Sequence, residues 1–303
     1  MVLSVILNPF VELNLKTKKL NYGETNLVDV KDKIAGGRGI NASRVIKKIG
    51  GDVTALSIIG EKNGEFIKDS LKEENVDFVY VLSDEENPLH LKIFDERGIE
   101  TDIIESDPIV SPVDIKKFED KFREIVENYS VILFTDRTPN GICYDIFKHL
   151  ITIAKDRNKI TILDAKNDFL KEGLEGEPTI SRIDKSDFDN LTGSSFVSII
   201  KRFKSYNSSK PEYFLIHIDK NNLIFNYEDK YYNILSKEIP GDISDSLVKD
   251  IFDGVLTYYL DNGKDIYDSI QLAFFASLKS DMNNILIPKS MADVYKEVII
   301  REI

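Results

Sequence analysis

A chain of 303 residues with 42% hydrophobic and 30% charged side chains can bury one large core and is not a disordered polypeptide. Its net charge of −12 works against sequence-independent attraction to a nucleic-acid backbone or an anionic membrane, so neither is an expected partner. With Cys143 as the only cysteine there is no intrachain disulfide framework, which fits a reducing compartment and makes the cytoplasm the expected location.

In chain order, Met1 to Pro9 lacks the basic start and long apolar stretch of an export signal and reads as a first strand, Val2 to Leu7. No later apolar run is long enough to span a bilayer. Further Val- and Ile-rich runs at Val53 to Ile59, Ser130 to Phe134, Ile160 to Leu163 and Tyr213 to Ile216 have the character of buried parallel strands. Helical periods lie between them, at Ile40 to Ile49, Glu65 to Glu74, Asp114 to Glu127 and Ile142 to Ala154. The last of these places Cys143 at the start of an amphipathic helix as a buried, structural thiol. Strand and helix alternate, which predicts a doubly wound α/β sheet. Two strand-like segments, Val11 to Lys33 and Leu89 to Ile104, carry turn signals at Tyr22-Gly23 and Arg97-Gly98 but no crossover helix of their own. They are expected to leave the main sheet and pair as a small lid, about residues 11–33 and 88–104, on a single domain covering 1–303. The C-terminal third, at Ser244 to Leu260, Ile266 to Lys279 and Met291 to Ile300, is helical by period.

The sharpest local signal is Ala35-Gly-Gly-Arg-Gly-Ile-Asn41, directly ahead of a helix. Gly36, Gly37 and Gly39 let backbone approach a ligand, the helix start offers unpaired N–H groups, and Arg38 and Asn41 add donors. Such a segment suits a hydroxyl-rich or anionic ligand; a tight turn ahead of a helix is the structural alternative. Asn8-Pro-Phe-Val-Glu12 follows the first strand, where a carboxylate at the carboxyl end of a sheet can hold sugar hydroxyls. Ile59-Gly-Glu-Lys-Asn-Gly-Glu-Phe66 follows the next strand, and Pro240-Gly-Asp-Ile-Ser-Asp-Ser-Leu-Val248 puts Asp245 at a late helix start.

Taken together, this order resembles the PfkB/ribokinase family of sugar kinases, in particular its hexose-phosphate branch of 1-phosphofructokinases and tagatose-6-phosphate kinases. The resemblance spans nearly the whole chain and is strongest over residues 1–75. It implies a ribokinase-like three-layer α/β/α domain with a small β-sheet lid, and transfer of the ATP γ-phosphoryl to a hydroxyl of a sugar or sugar phosphate. Carried residue by residue, it implies that Glu12, Gly36, Gly37 and Asn41 hold the sugar. Asp245 takes the place of the base that removes the acceptor proton. Asp187 stands at a carboxylate linked to Mg2+. Asp184, Asp187, Asp219, Asp242 and Ser244 fall on the nucleotide side. A homodimer through paired lids is a further implication.

The chain departs from the pattern at several points. Asp242, Ile243 and Ser244 replace the glycines before the base; at about 5 Å and an effective dielectric near 20, the Asp242 charge costs a bound phosphate about 3 kcal/mol. Ser244 as a plain helix cap is the structural alternative for that segment. Arg182-Ile-Asp-Lys-Ser-Asp187 stands where the family has Lys-Pro-Asn-x-x-Glu, and His217-Ile-Asp-Lys-Asn-Asn222 lacks the two glycines of a nucleotide turn and reads as a hairpin. An arginine that grips the substrate phosphate falls at Pro88, with His90 near an expected asparagine. Lys92 matches a lysine of the branch, so Arg38, Lys92 and Arg137 are expected to supply positive charge. These departures leave a second reading: a non-catalytic sugar-phosphate-binding or regulatory member that has lost ATP use.

Overall fold

A computed structural model describes the chain except residue 136 and residues 194–196, 207–210 and 238–243. The first strand, β1 (Val2–Ile6), is buried at every position, which is the pattern of a strand covered on both faces. The chain then turns out into β2 (Phe10–Thr17) and β3 (Asp29–Gly36), returns through helix α1 (Arg38–Lys48), and continues with β4 (Val53–Ile59), α2 (Lys62–Glu73) and β5 (Asp77–Leu82). A second excursion supplies β6 (Leu89–Asp95) and β7 (Glu100–Ile104). Next come α3 (Pro112–Ile125), β8 (Val131–Thr135), α4 (Ile146–Lys155), β9 (Ile160–Asp164), α5 (Asn167–Leu174) and β10 (Ile180–Asp184). They are followed by α6 (Lys185–Thr192), α7 (Ile199–Ser205), the strands β11 (Tyr213–Asp219), β12 (Asn222–Tyr227) and β13 (Lys230–Ser236), and then α8 (Asp245–Asp261), α9 (Ile266–Lys279), α10 (Met291–Glu297) and β14 (Val298–Glu302).

Ten strands form one sheet in the order β14-β13-β12-β11-β10-β9-β8-β1-β4-β5. From β11 to β5 every neighbour pair is parallel. Two apolar cores sandwich the sheet, one built with α1, α2, α8, α9 and α10, the other with α3 to α7. This is the expected three-layer arrangement, and the parallel strands end together on one edge, where β1 and β9 give way to loops and β10 runs straight into α6. The small separate sheet, β3-β2-β6-β7, rises from that edge: β2 begins four residues after β1 ends, and β3 runs directly into α1.

The five runs read as parallel strands pair in parallel, and β12, β13 and β14 add an antiparallel margin. Two expectations are corrected. Met291 to Ile300 is not one helix: α10 stops at Glu297, and the β-branched run Val298-Ile-Ile pairs with β13, whose open edge offers more hydrogen bonds than one further helical turn. Cys143 is exposed and precedes α4, because Gly141 at φ 87° and the bridge between Ile109 and Asn140 hold that stretch in a turn until Ile146.

Candidate active site

The glycine segment owes its form to two distinct demands. Gly37 caps α1 with φ 138°, a conformation that side-chain-bearing residues avoid. Gly39 packs the first turn of α1 against the ends of β1 and β8, where an added Cβ would stand 2.8 Å from both Ser4 Oγ and Thr135 Oγ1. Its carbonyl accepts hydrogen bonds from Ser4 Oγ (3.1 Å) and Ser43 Oγ (2.7 Å), so the loop is fixed from below.

Above it lies a cleft of about 210 Å³. Phe10, Glu12, Ile34, Gly36 and Lys92 line it from the small sheet, Gly37 and Asn41 from the loop and α1, and Ser244, Ser246, Leu247 and Asp250 from α8, with Met282 closing one wall. Asp245 is the exposed first residue of α8, between the lining residues Ser244 and Ser246. Ser244 caps the helix by accepting from Leu247 N at 3.3 Å. Residues some two hundred positions apart in the chain thus meet across one opening.

Glu12 is paired with Lys92 at 3.1 Å and accepts from Asn14 Nδ2 at 3.2 Å. Phe10 stacks on His90, centroids 3.7 Å apart, and carries Arg137 over its ring at 5.0 Å. Burial, together with the Arg137 charge, lowers the His90 pKa to about 4, so the imidazole is neutral. Arg137 itself is tied to Asp107 at 2.8 Å, and Asp107 also accepts from Asn8 Nδ2 at 2.7 Å.

Under the cleft runs a buried ionic floor. Arg38 turns inward, pairing with Asp164 at the end of β9, with Asp250 at 3.2 Å and with Asp253 at 3.7 Å. Arg182, on β10 and 1% exposed, donates Nε and Nη2 to the two oxygens of Asp253 at 2.7 and 3.1 Å and also pairs with Asp164. Asn41 Nδ2 donates to Asp250 at 2.8 Å and its Oδ1 accepts from Arg44 at 3.0 Å, so the floor holds this side chain in place. Three carboxylates face two guanidinium groups here. Burial and the Asp164 charge push Asp253 up to about 7 against the pull of Arg182, and burial raises Asp250 likewise. The sequence reading missed Asp164, Asp250 and Asp253. On α8 the last two sit at spacings that read as a polar face, and only the arginines brought from β10 and the glycine loop reveal why they are inside.

The remaining nucleotide-side candidates scatter. Asp184 bonds Lys249 at 2.7 Å; burial would raise its pKa, but that bond and the Arg182 charge outweigh it and leave it lowered. Beside it in the sheet, His217 is 2% exposed and edge-on to Phe252, and burial holds it neutral. Asp187, 7% exposed, lines a larger cleft of about 700 Å³ with Asn167, Asp168, Asn190 and Tyr206, which shares no lining residue with the Gly37 cleft. Asp219 ends β11 and accepts from Asn221 N at 2.7 Å in the β11–β12 turn, the hairpin anticipated for that segment. Asp242 lies outside the described residues. No group of three or more His, Cys, Asp or Glu side chains that could hold a metal occurs among the described residues. Mg2+ can be held by one or two carboxylates when waters and phosphate oxygens complete its shell; Asp187 presents one carboxylate, in a cleft separate from that at Gly37. No helix among the described residues is long and apolar enough to cross a membrane.

The chain is similar in structure to a Staphylococcus aureus protein provisionally described as a phosphofructokinase, with TM-score 0.84 and 18% identity over 100% of this chain and 99% of that one. It is similar to a "possible 1-phosphofructokinase" of Thermotoga maritima, with TM-score 0.83 and 18% identity over 100% and 99%. It is also similar to phosphofructokinase-2 of Escherichia coli in complex with fructose-6-phosphate, with TM-score 0.82 and 17% identity over 97% of each chain. At these identities the likeness establishes the ribokinase-like fold. The model of the pfkB family carbohydrate kinases matches residues 4–279, nearly the whole chain, and the protein therefore belongs to the PfkB family of carbohydrate kinases.

Proposed function

We propose that the protein is an ATP-dependent kinase acting on a hydroxyl of a sugar phosphate, of the 1-phosphofructokinase or tagatose-6-phosphate kinase kind. One observation carries the reading: the glycine loop at Gly37 and the start of α8 at Ser244 and Ser246 line the same cleft. In this reading Glu12, Gly36, Gly37 and Asn41 hold the sugar, with Lys92 in the same wall. Arg38, bound to Asp164, Asp250 and Asp253, and Arg137, bound to Asp107, support the cleft from behind instead of supplying the free positive charge expected of them. Asp245, exposed and therefore able to reach an acceptor, removes the proton from the hydroxyl, whose oxygen then attacks phosphorus. The α8 N-terminus offers N–H groups and a positive dipole end to the moving phosphoryl, with Ser244 as its cap. ATP, when bound, supplies the phosphoryl group, and we assign Asp187 to its Mg2+ and Asp184 and Asp219 to the nucleotide side. The accessory sheet acts as the lid, and its exposed Val30, Phe94 and Ile103 are the surface through which two copies would pair. Among the structural relatives, phosphofructokinase-2 of E. coli has a tetrameric inhibited form and complexes with fructose-6-phosphate.

The test is ADP release from purified protein with ATP, Mg2+ and a panel of fructose-1-phosphate, fructose-6-phosphate, tagatose-6-phosphate and the free sugars. Acceptor-dependent release is expected. Asp245→Asn should lower it at least about a hundredfold, the lower range for losing a general base, while leaving the melting temperature unchanged. Binding of a sugar phosphate with no release under any condition would reduce the protein to a binding function.

A further inference from the structure

Helix α8 carries three charged residues at one spacing: Asp245, Lys249 and Asp253 stand at i, i+4 and i+8. Four residues make little more than one turn, so each lies about 6 Å along the axis and about 40° around it from the one before. The two inner members are tied to strand β10. Lys249 Nζ donates to Asp184 at 2.7 Å, and Asp253 accepts from Arg182 Nε and Nη2 at 2.7 and 3.1 Å. Arg182 and Asp184 are two positions apart, so both face α8, separated by about 6–7 Å of strand. Strand and helix therefore step together, and the two ion pairs form the rungs of a ladder one helical turn apart. One further step passes the end of β10, and the α8 residue that stands there is Asp245, exposed at the helix start between the cleft-lining Ser244 and Ser246.

Apolar packing does not account for this ladder. Val248, Ile251, Phe252 and Val255 are buried and hold α8 down on the sheet. Apolar residues often replace a buried ion pair at little cost, so stability alone gives no reason to keep Arg182 and Asp253 inside. Apolar contacts are also non-directional, whereas two charge-assisted hydrogen-bonded pairs are satisfied together at one rotation and one height of the helix. His217, level with Asp184 on β11, braces the same stretch edge-on to Phe252, with ring centroids 5.0 Å apart. The direction in which Asp245 points is thereby set in the turns below it.

We propose that Asp184 and Lys249 are positioning residues: as the upper rung, above Arg182 and Asp253, they fix the rotation and height of the α8 start and so aim Asp245 at the acceptor hydroxyl. The role of Asp245 rests on the kinase reading above, while the ladder stands on its own contacts. Asp184 then serves the nucleotide side through Lys249 and not by touching a ligand. A double-mutant cycle in the ADP-release assay tests this, with Lys249→Met, Asp184→Asn and the two together. Each single variant should lower kcat about tenfold or more, within what a misplacement of about 1 Å can do. Acceptor KM should stay within about twofold, because the sugar contacts are untouched. The double variant should be no worse than the worse single, and Lys249→Arg should keep kcat within about threefold of the parent. Additive losses would mean that Asp184 acts on a ligand directly, and a lower melting temperature with unchanged kcat would mean a role in stability alone; either result overturns the proposal. Hydrogen–deuterium exchange without any ligand separates this outcome from a failure of the kinase reading. Amides of Val248 to Asp253 should exchange faster in Lys249→Met and return to parent rates in Lys249→Arg, with those of β1 and β4 unchanged. Unaltered exchange in α8 would overturn the ladder whether or not the parent protein releases ADP.

Discussion

Replacing Arg182 with methionine removes the cation at the centre of the ionic floor while keeping similar bulk. Arg182 is 1% exposed, donates to both oxygens of Asp253 at 2.7 and 3.1 Å and also pairs with Asp164; without it, among the described residues, the Asp253 carboxylate keeps the Arg38 contact at 3.7 Å. Breaking a buried pair from one side leaves an uncompensated charge and costs about 3–5 kcal/mol, a large part of the roughly 5–15 kcal/mol that holds a domain folded. With a urea m-value of about 3 kcal/mol per M, the unfolding midpoint should fall by about 1–2 M with no change in slope. Removing both charges, in Arg182→Met/Asp253→Leu, should recover at least about 2 kcal/mol, since apolar groups of similar size often replace a buried ion pair at little cost. Asp164 and Asp250 would still face Arg38 in that variant. Urea unfolding followed by circular dichroism measures all three proteins. A shift below about 0.3 M for the single variant, or a double variant no more stable than the single, would refute the view that Arg182 and Asp253 are held inside by each other.

Two further outcomes follow from the geometry of the cleft. The folded-state pKa of His90, about 4, lies below its ordinary 6.5, so between those values the unfolded chain binds more protons and stability falls as pH falls. His90→Gln should remove about 1.4 kcal/mol of that loss for each pH unit in the window, read as the difference between the two proteins' urea titrations from pH 7 to pH 4; parallel curves would contradict it. Gly39→Ala forces a methyl group to within 2.8 Å of Ser4 and Thr135 oxygens and should cost about 1–3 kcal/mol, measured by the same unfolding assay.

What the sequence discloses and what it hides divide on a physical line. The glycine loop, the buried strands β1, β4, β8, β9 and β11, and the two excursions that form the small sheet are local patterns: a run of Val and Ile, a period, a turn pair. Strand β10 was not legible because Arg182 and Asp184 break its apolar run, and a guanidinium can be buried there only because Asp253, 71 residues on, and Asp164 are brought to it. The same non-local pairing hides Asp250 and Asp253 in α8, where a linear reading sees a solvated stripe. Strand β14 reads in one dimension as the end of a helix because its partner, β13, lies some 65 residues earlier, and a sheet edge leaves no local signal. Glu12 and Asn41 were singled out for the sugar, but their partners Lys92, Asp250 and Arg44, which decide how they point, appear only in three dimensions.

Hydrogen–deuterium exchange with and without a saturating sugar phosphate, fructose-6-phosphate first, tests most directly whether the glycine loop and the start of α8 serve one ligand. The account predicts that main-chain amides near Gly37 to Asn41 and those near Asp245 to Asp250 become protected together, with a common dependence on ligand concentration. Protection of one segment without the other, or protection confined to the larger cleft around Asp187, would contradict it.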